Sequence, residues 1–292
     1  MTTAPAMQTA GRDAIEEVIA KRRLRFRFMK HDGWENALFV HWPVDPALVA
    51  AQLPRGLEPD LLEGSAWVGL VLLTERGVSA HHWLGRILVP PIDHIGANVR
   101  TYVRHNGVPG IFFWSLECSS LLASLGARAA GIPYFPASMR RAVDVERPLG
   151  PCGATGGCNG NGKLQGKDGF VFEFSSVRQG LRRKQGAAVS ARWRLSADAG
   201  DQELFAERAR WFVERYSVYA SWPLGRGPVL LRGDVQHPPW PLQPAVLDEL
   251  DARSLLEAAG LHGVADGPGA QQPHVCFSRG VGPVDFWMLE PV

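Results

Sequence analysis

Three sets of residues in this chain have types and spacings that could carry chemistry. The segment GCNGNGK, Gly157 to Lys163, spells G-x-x-x-x-G-K, the pattern of a loop whose backbone amides cradle phosphates. Such a loop follows a buried strand, opens a helix and places a Ser or Thr after the lysine to hold magnesium. Here Pro148 and Pro151 interrupt a polar approach, Leu164 replaces the hydroxyl, and the QGKDG that follows cannot start a helix. Eight glycines between Gly150 and Gly169 mark a surface excursion between two strands, not a nucleotide site.

The second set is the cysteines and histidines. Cys118, Cys152, Cys158 and Cys276 form no C-x-x-C pair, and Cys152 and Cys158 lack companion ligands at recognised spacing. His274 and Cys276 would share one strand face, whereas the adjacent His81 and His82 would point opposite ways. Neither pair completes a ligand set, so no metal and no cofactor is implied. The serines of SLECSS lack the context of a nucleophile elbow, and packing and helix capping account for them.

The third set lies on a strand. NVRTYVRHNG alternates with period two, which puts Asn98, Arg100, Tyr102 and Arg104 on one face and Val99, Thr101, Val103 and His105 on the other. A guanidinium held against a sheet wall needs a carboxylate to offset its desolvation. For Arg100 that carboxylate is either Glu117 on the neighbouring strand or part of a ligand. Tyr102 adds a hydrogen-bond donor. FVERYSVY contributes Arg215 and Tyr216, DVQHPPWPL contributes His237, and ALFVHW contributes His41. Segments of this aromatic and proline-rich kind ordinarily serve packing and turns.

The elements that must position these residues can be read from pattern. Strands are expected at ALFVHW, SAWVGLVLL, NVRTYVRH, GIFFWSLE, SMRRAVDVE, GFVFEFSSVR, AVSARWRLS, GPVLLRGDV, HVCFSRG and DFWML. Asp45 and Pro46 open a short helix that Pro54 ends, SSLLASLGARAAG is a second, and further helices are expected around Gln202 to Val213 and Pro244 to Ala259. Asp13 to about Met29 reads as a helix, with Asp13 and Glu16 as a capping box and a basic second half. Many strands joined by short turns, without βαβ alternation, give a mainly β, α+β fold: an antiparallel cone or barrel decorated by a few helices. Residues 1–30 form a basic helical appendage and 31–292 one domain, with a glycine-rich insertion at about 150–169.

Composition narrows the partners. The chain has 292 residues, 46% hydrophobic and 21% charged, with a net charge of only +2, so no global field argues for nucleic acid. The longest apolar run, WVGLVLL, falls far short of the roughly 20 residues a membrane-spanning helix needs. The opening residues show neither a secretory signal nor a transit peptide, and the few cysteines suit a reducing compartment, so a cytoplasmic location is expected.

Taken in order, HWPVDPALVAAQLPRGLEPDLLEGSAWVGLV, NVRTYVRHNGVPGIFFWSLECSS, IPYFPASM, FVERYSVY and HPPWPL resemble the YqjF-like family of uncharacterised bacterial proteins, a relative of the acetoacetate decarboxylase-like superfamily. The resemblance covers roughly Ala37 to Leu250 and implies a cone- or barrel-like β fold around a central cavity. It also implies a point of departure. The decarboxylases form a Schiff base on a lysine of depressed pKa, and here Ala137 and Ser138 stand where the lysine pair would lie.

The expectation is therefore a cavity that takes a small anionic or carbonyl-containing molecule without imine chemistry. Arg100 would be the anion contact, Tyr102 a donor, and Arg215, Tyr216 and His237 would line the mouth or brace the wall. One alternative is an enzyme that acts on a small carbonyl compound by acid–base chemistry through His41 or His237. Another is a structural or interaction protein without a ligand.

Overall fold

The computed structural model of the chain describes residues 27–82, 91–129, 132–145, 170–179, 186–196, 200–224, 227–267 and 269–292. Its strands are β1 (Arg27–His31), β2 (Gly33–Val44), β3 (Glu58–Pro59), β4 (Ala66–Ala80), β5 (Ile92–His105), β6 (Val108–Cys118), β7 (Tyr134–Val145), β8 (Phe170–Arg178), β9 (Ala188–Leu195), β10 (Ser217–Leu224), β11 (Gly227–Gln236), β12 (Leu242–Asp251), β13 (His274–Val281), β14 (Val284–Trp287) and β15 (Glu290–Pro291). The helices are α1 (Pro46–Ala50), α2 (Leu121–Ala129), α3 (Gln202–Val213) and α4 (Arg253–Ala258).

Local chemistry sets several of these elements. Asp45 accepts the Ala47 amide at 2.8 Å and Pro46 supplies a preset φ, so α1 begins there. Asn106 and Gly107 take the positive φ values of 50° and 79° that a two-residue hairpin turn needs, and β5 runs straight into β6. Asp201 accepts the Glu203 and Leu204 amides and starts α3.

All the strands join one sheet, whose pairings close into two circuits. One runs β4, β1, β14, β11, β10, β6, β5 and back to β4. The other runs β4, β2, β13, β12, β9, β8, β7, β6 and β5. Strands β4, β5 and β6 belong to both. The sheet is mixed, not antiparallel throughout as expected, because β6 pairs in parallel with both β7 and β10.

A shared wall is buried on both faces, which is why β4 reads as a continuous apolar run. Val68, Leu70 and Leu72 face the second circuit, where they pack with Trp42, Phe172, Trp193 and Phe277 beneath Leu255 and Leu256 of α4. Val71 and Leu73 face the first circuit, with Phe39, Tyr102 and Ile111.

Two expectations are corrected. The segment from Pro244 is not helical: it forms β12 as far as Asp251, and only Arg253–Ala258 coils. Its pairing fills the gap between β9 and β13, and Asp248 meets Arg194 across the strands at 2.8 Å, which outweighs a weak helical propensity. Arg27 to Met29, expected to end a helix, lie in β1 between β14 and β4. The rest of that N-terminal helix and the glycine-rich insertion lie outside the described residues.

Phe277 is fully buried, with the ring centroids of Phe172 and Trp193 at 4.8 and 6.3 Å. Phe277→Ala should lower unfolding stability by about 3–5 kcal/mol in denaturant titration. A loss below about 1 kcal/mol would mean that this interior is not close-packed.

Candidate functional site

The first circuit encloses a cavity of about 130 Å³. Its wall is largely aromatic and aliphatic, with Trp34, Phe39, Leu73, Phe113, Trp240 and Phe286 among the lining side chains. Eight polar or charged groups interrupt that wall: His31, Glu75, Asn98, Arg100, Tyr134, Arg215, Asp234 and His237.

Arg100 reaches the cavity from β5 and is only 7% exposed. Its Nε donates to the Tyr102 hydroxyl at 3.2 Å and its Nη2 to the Phe212 carbonyl at 3.3 Å. The guanidinium carbon lies 5.6 Å from the ring centroids of both Phe39 and Tyr102. Among the described residues no carboxylate forms an ion pair with it. The expected alternative, Glu117, is taken: Arg178 Nε donates to it at 3.0 Å and the Ser115 hydroxyl at 2.5 Å. The register explains this. Glu117 stands opposite Ala97, whereas Arg100 stands opposite Phe113 after a bulge in β6, so the two side chains are not cross-strand neighbours.

Tyr102 and His41 do not line the cavity; they brace Arg100 from behind. The Tyr102 hydroxyl accepts from Arg100 and shares a hydrogen bond with His41 Nε2, 2.6 Å away. His41 stacks on Phe212 with centroids 3.9 Å apart. Burial, aided by the nearby Arg100 charge, holds its pKa well below the ordinary value, and the ring is neutral. Gly69 makes room for all three, since a Cβ there would come within 3.1–3.2 Å of His41, Arg100 and Tyr102.

Arg215 lies between α3 and β10. It lines the cavity, and its Nη1 donates to Asp60 at 2.6 Å while its Nε donates to the Trp211 carbonyl at 2.8 Å, so its charge is matched within the protein. Tyr216 lies outside the lining; its hydroxyl donates to Glu214 and its ring stacks on His237 with centroids 4.8 Å apart. His237 does line the cavity. Its Nδ1 donates to the Pro238 carbonyl at 2.8 Å, and burial lowers its pKa.

Sequence reasoning gave no role to two groups that the fold brings to this cavity. Asn98 shares the inward face of β5 with Arg100, is 8% exposed, and its side-chain oxygen has no partner among the described residues. Glu75 is the other, and a signal for it existed: it continues the alternation of Val71 and Leu73 along β4. Its carboxylate lies 3.1 Å from His31 Nδ1 and 3.4 Å from His94 Nε2. Burial opposes ionisation of Glu75, but the two imidazoles and Trp34 outweigh it and bring the pKa down to about 2. Burial likewise works against a charge on His94, yet Glu75 and Cys118 raise it to about 10. Gly96 admits this pairing, because a Cβ there would stand 3.2 Å from Glu75 Oε1. Among the described residues no group of three or more His, Cys, Asp or Glu side chains is arranged to hold a metal ion.

With this geometry in view, comparisons with known proteins become informative. The DUF2071 family model, described as an uncharacterized conserved protein, matches residues 31–282. The uncharacterized protein YqjF of Bacillus subtilis (strain 168) is 29% identical over 237 residues, 78% of this chain and 80% of its own length. An acetoacetate decarboxylase-like enzyme from Sphingomonas wittichii RW1 superposes with a TM-score of 0.53 at 17% identity, over 90% of this chain and 92% of the other. The enduracididine biosynthesis enzyme MppR, complexed with pyruvate, gives a TM-score of 0.56 at 14% identity, over 91% and 90% of the two chains. At these identities the structural matches establish an acetoacetate decarboxylase-like fold. No helix among the described residues is long and apolar enough to cross a membrane.

The buried imidazoles give stability a pH dependence of two signs. His31 and His274 are lowered by burial from 6.5 to about 4, so the unfolded chain takes up protons that the fold refuses, and stability falls as pH drops from about 6.5 to about 4. His94 works the other way: its contribution is whole below about 6.5 and is lost as pH rises towards about 10. Thermal melts of the wild type should decline between these alkaline limits, and His94→Gln should flatten that decline. An equally steep alkaline slope in His94→Gln would count against the Glu75–His94 pair.

Proposed function

The chain belongs to the DUF2071 family of uncharacterized conserved proteins, and from that premise we propose that it binds a small anionic or carbonyl-bearing molecule in its cavity, with Arg100 as the anion contact. One observation carries this reading: a guanidinium 7% exposed, on the cavity wall, with no carboxylate partner among the described residues. A cation in that setting keeps its hydrogen bonds to Tyr102 and Phe212 but has no counter-charge until an anion arrives. Tyr102 and His41 hold the guanidinium in place, and Asn98 offers a second polar contact on the same strand face.

Binding here does not use an imine. Ala137 and Ser138 occupy β7 where the resemblance to the decarboxylases would place lysines. Lys30 is the lysine of the described residues, and its Nζ lies 2.9 Å from Asp32 at the surface. The buried free thiols of Cys118 and Cys276 fit a reducing, cytoplasmic setting.

A second reading has its own support. His237 lines the cavity and burial lowers its pKa, which favours the neutral ring a general base requires, so turnover of a carbonyl compound by proton transfer would use His237. His41, whose Nε2 is engaged by Tyr102, lies outside the cavity and supports no such role.

Thermal shift with a panel of small carboxylates tests the binding reading. The wild type should gain about 5 °C at about a hundredfold excess of ligand over Kd, and Arg100→Leu and Arg100→Gln should lose that gain while remaining folded. Equal shifts in the wild type and both variants would remove Arg100 from the site. Borohydride reduction in the presence of a β-keto acid should leave the mass of the protein unchanged; an adduct on any lysine would contradict the imine-free reading.

A further inference from the structure

The same cavity says more about its ligand than its charge. We propose that the ligand is an amphiphilic monocarboxylate: one carboxylate held at Arg100 and Asn98, carrying an aromatic or branched hydrocarbon body of about six carbons. This rests on the anion-binding reading above and adds the chemical class.

The polar groups of the wall set the charge of the ligand. Glu75 is occupied by His94 and His31, Arg215 by Asp60, and Asp234 lies 3.6 Å from Arg232 Nε while accepting the Ser217 hydroxyl at 3.0 Å. Each of those charges is answered within the protein, which leaves Arg100, among the described residues of the wall, as the cation with capacity for an anion. A second anionic group on the ligand would meet either hydrocarbon or the ionised Glu75. Asn98 adds a neutral amide beside the guanidinium, and a half-turn of that amide presents its N–H groups to a carboxylate oxygen.

The remainder of the wall sets the body. Trp34 and Trp240 lie nearly parallel, 12° apart with centroids at 5.6 Å, and Phe39 meets Trp240 edge-on at 5.1 Å. Phe113, Leu73 and Phe286 continue this apolar lining. A very short, strongly hydrated keto acid would satisfy Arg100 but leave those surfaces without contact partners. Size agrees: the cavity measures about 130 Å³, and an apolar protein cavity of about 150 Å³ is known to close around benzene. A carboxylate on a ring or short branched chain places hydrocarbon against the aromatic walls and its charge at Arg100.

Isothermal titration calorimetry on the full chain tests this with named probes. Phenylacetate and 4-methylpentanoate are compared with pyruvate and acetoacetate, and with phenylacetamide as the neutral counterpart of phenylacetate. Phenylacetate should bind at least about tenfold more tightly than pyruvate, because each buried methylene contributes about fourfold. Phenylacetamide should bind at least about tenfold more weakly than phenylacetate, as loss of a charged hydrogen-bonded partner implies. Phe113→Trp, which narrows the apolar part of the cavity, should weaken phenylacetate while sparing pyruvate.

Pyruvate binding as tightly as phenylacetate, with both lost in Arg100→Leu, would overturn the amphiphile and leave the anion site standing. Phenylacetamide matching phenylacetate would overturn the carboxylate. Carboxylates that bind the wild type and a folded Arg100→Leu alike, or bind neither, would sink the anion reading itself.

Discussion

The constraint on which this structure depends is that β4, β5 and β6 serve two circuits of the sheet at once. A strand shared in this way has no solvent face, so every inward side chain on either side must be packed or paired. On the Val68–Leu70–Leu72 side, packing suffices, because the opposing wall supplies Trp42, Phe172, Trp193 and Phe277. On the other side, β5 carries Asn98 and Arg100 into a space that hydrocarbon does not fill, with Tyr102 packed behind them. The chain from Arg100 through the Tyr102 hydroxyl to His41 Nε2 is how the fold holds a cation there. Gly69 is part of the same solution, since the opposing strand gives up a side chain so that these three can sit together.

The cavity separates its charges into answered and unanswered ones. Asp60 holds both Arg104 and Arg215, and Glu75 holds His94 and lies against His31. Pairs of this kind are costly to break and confer little affinity for anything outside themselves. Arg100 differs because its protein partners are a hydroxyl and a carbonyl, neither of which neutralises its charge. In the proposed binding site the positive charge therefore comes from Arg100, and the aromatic surfaces around it supply the apolar contacts.

The fold is shared with decarboxylase-like enzymes, but a fold transmits shape more readily than mechanism. In β7, Ala137 is nearly buried and carries no nucleophile, while Arg141 farther along the strand donates to the Thr74 hydroxyl and the Asn36 carbonyl and so ties β7 to β4 and β2.

Much of this was legible in the amino-acid order. Period-two alternation and turn residues determine the strands of the shared wall, the Asn106–Gly107 hairpin, the Asp45 cap and the span of α3, because these depend on neighbours a few residues away. The inward face of Asn98, Arg100 and Tyr102 is a local property of the same kind. Only the tertiary structure decided that Glu117 belongs to Arg178 and leaves Arg100 unpaired, that Glu75 meets His31 and His94, and that Pro244 to Asp251 extends as a strand. Those outcomes follow from which strands close each circuit and in which register, and such contacts join residues far apart in the chain whose separate sequence patterns carry no record of one another.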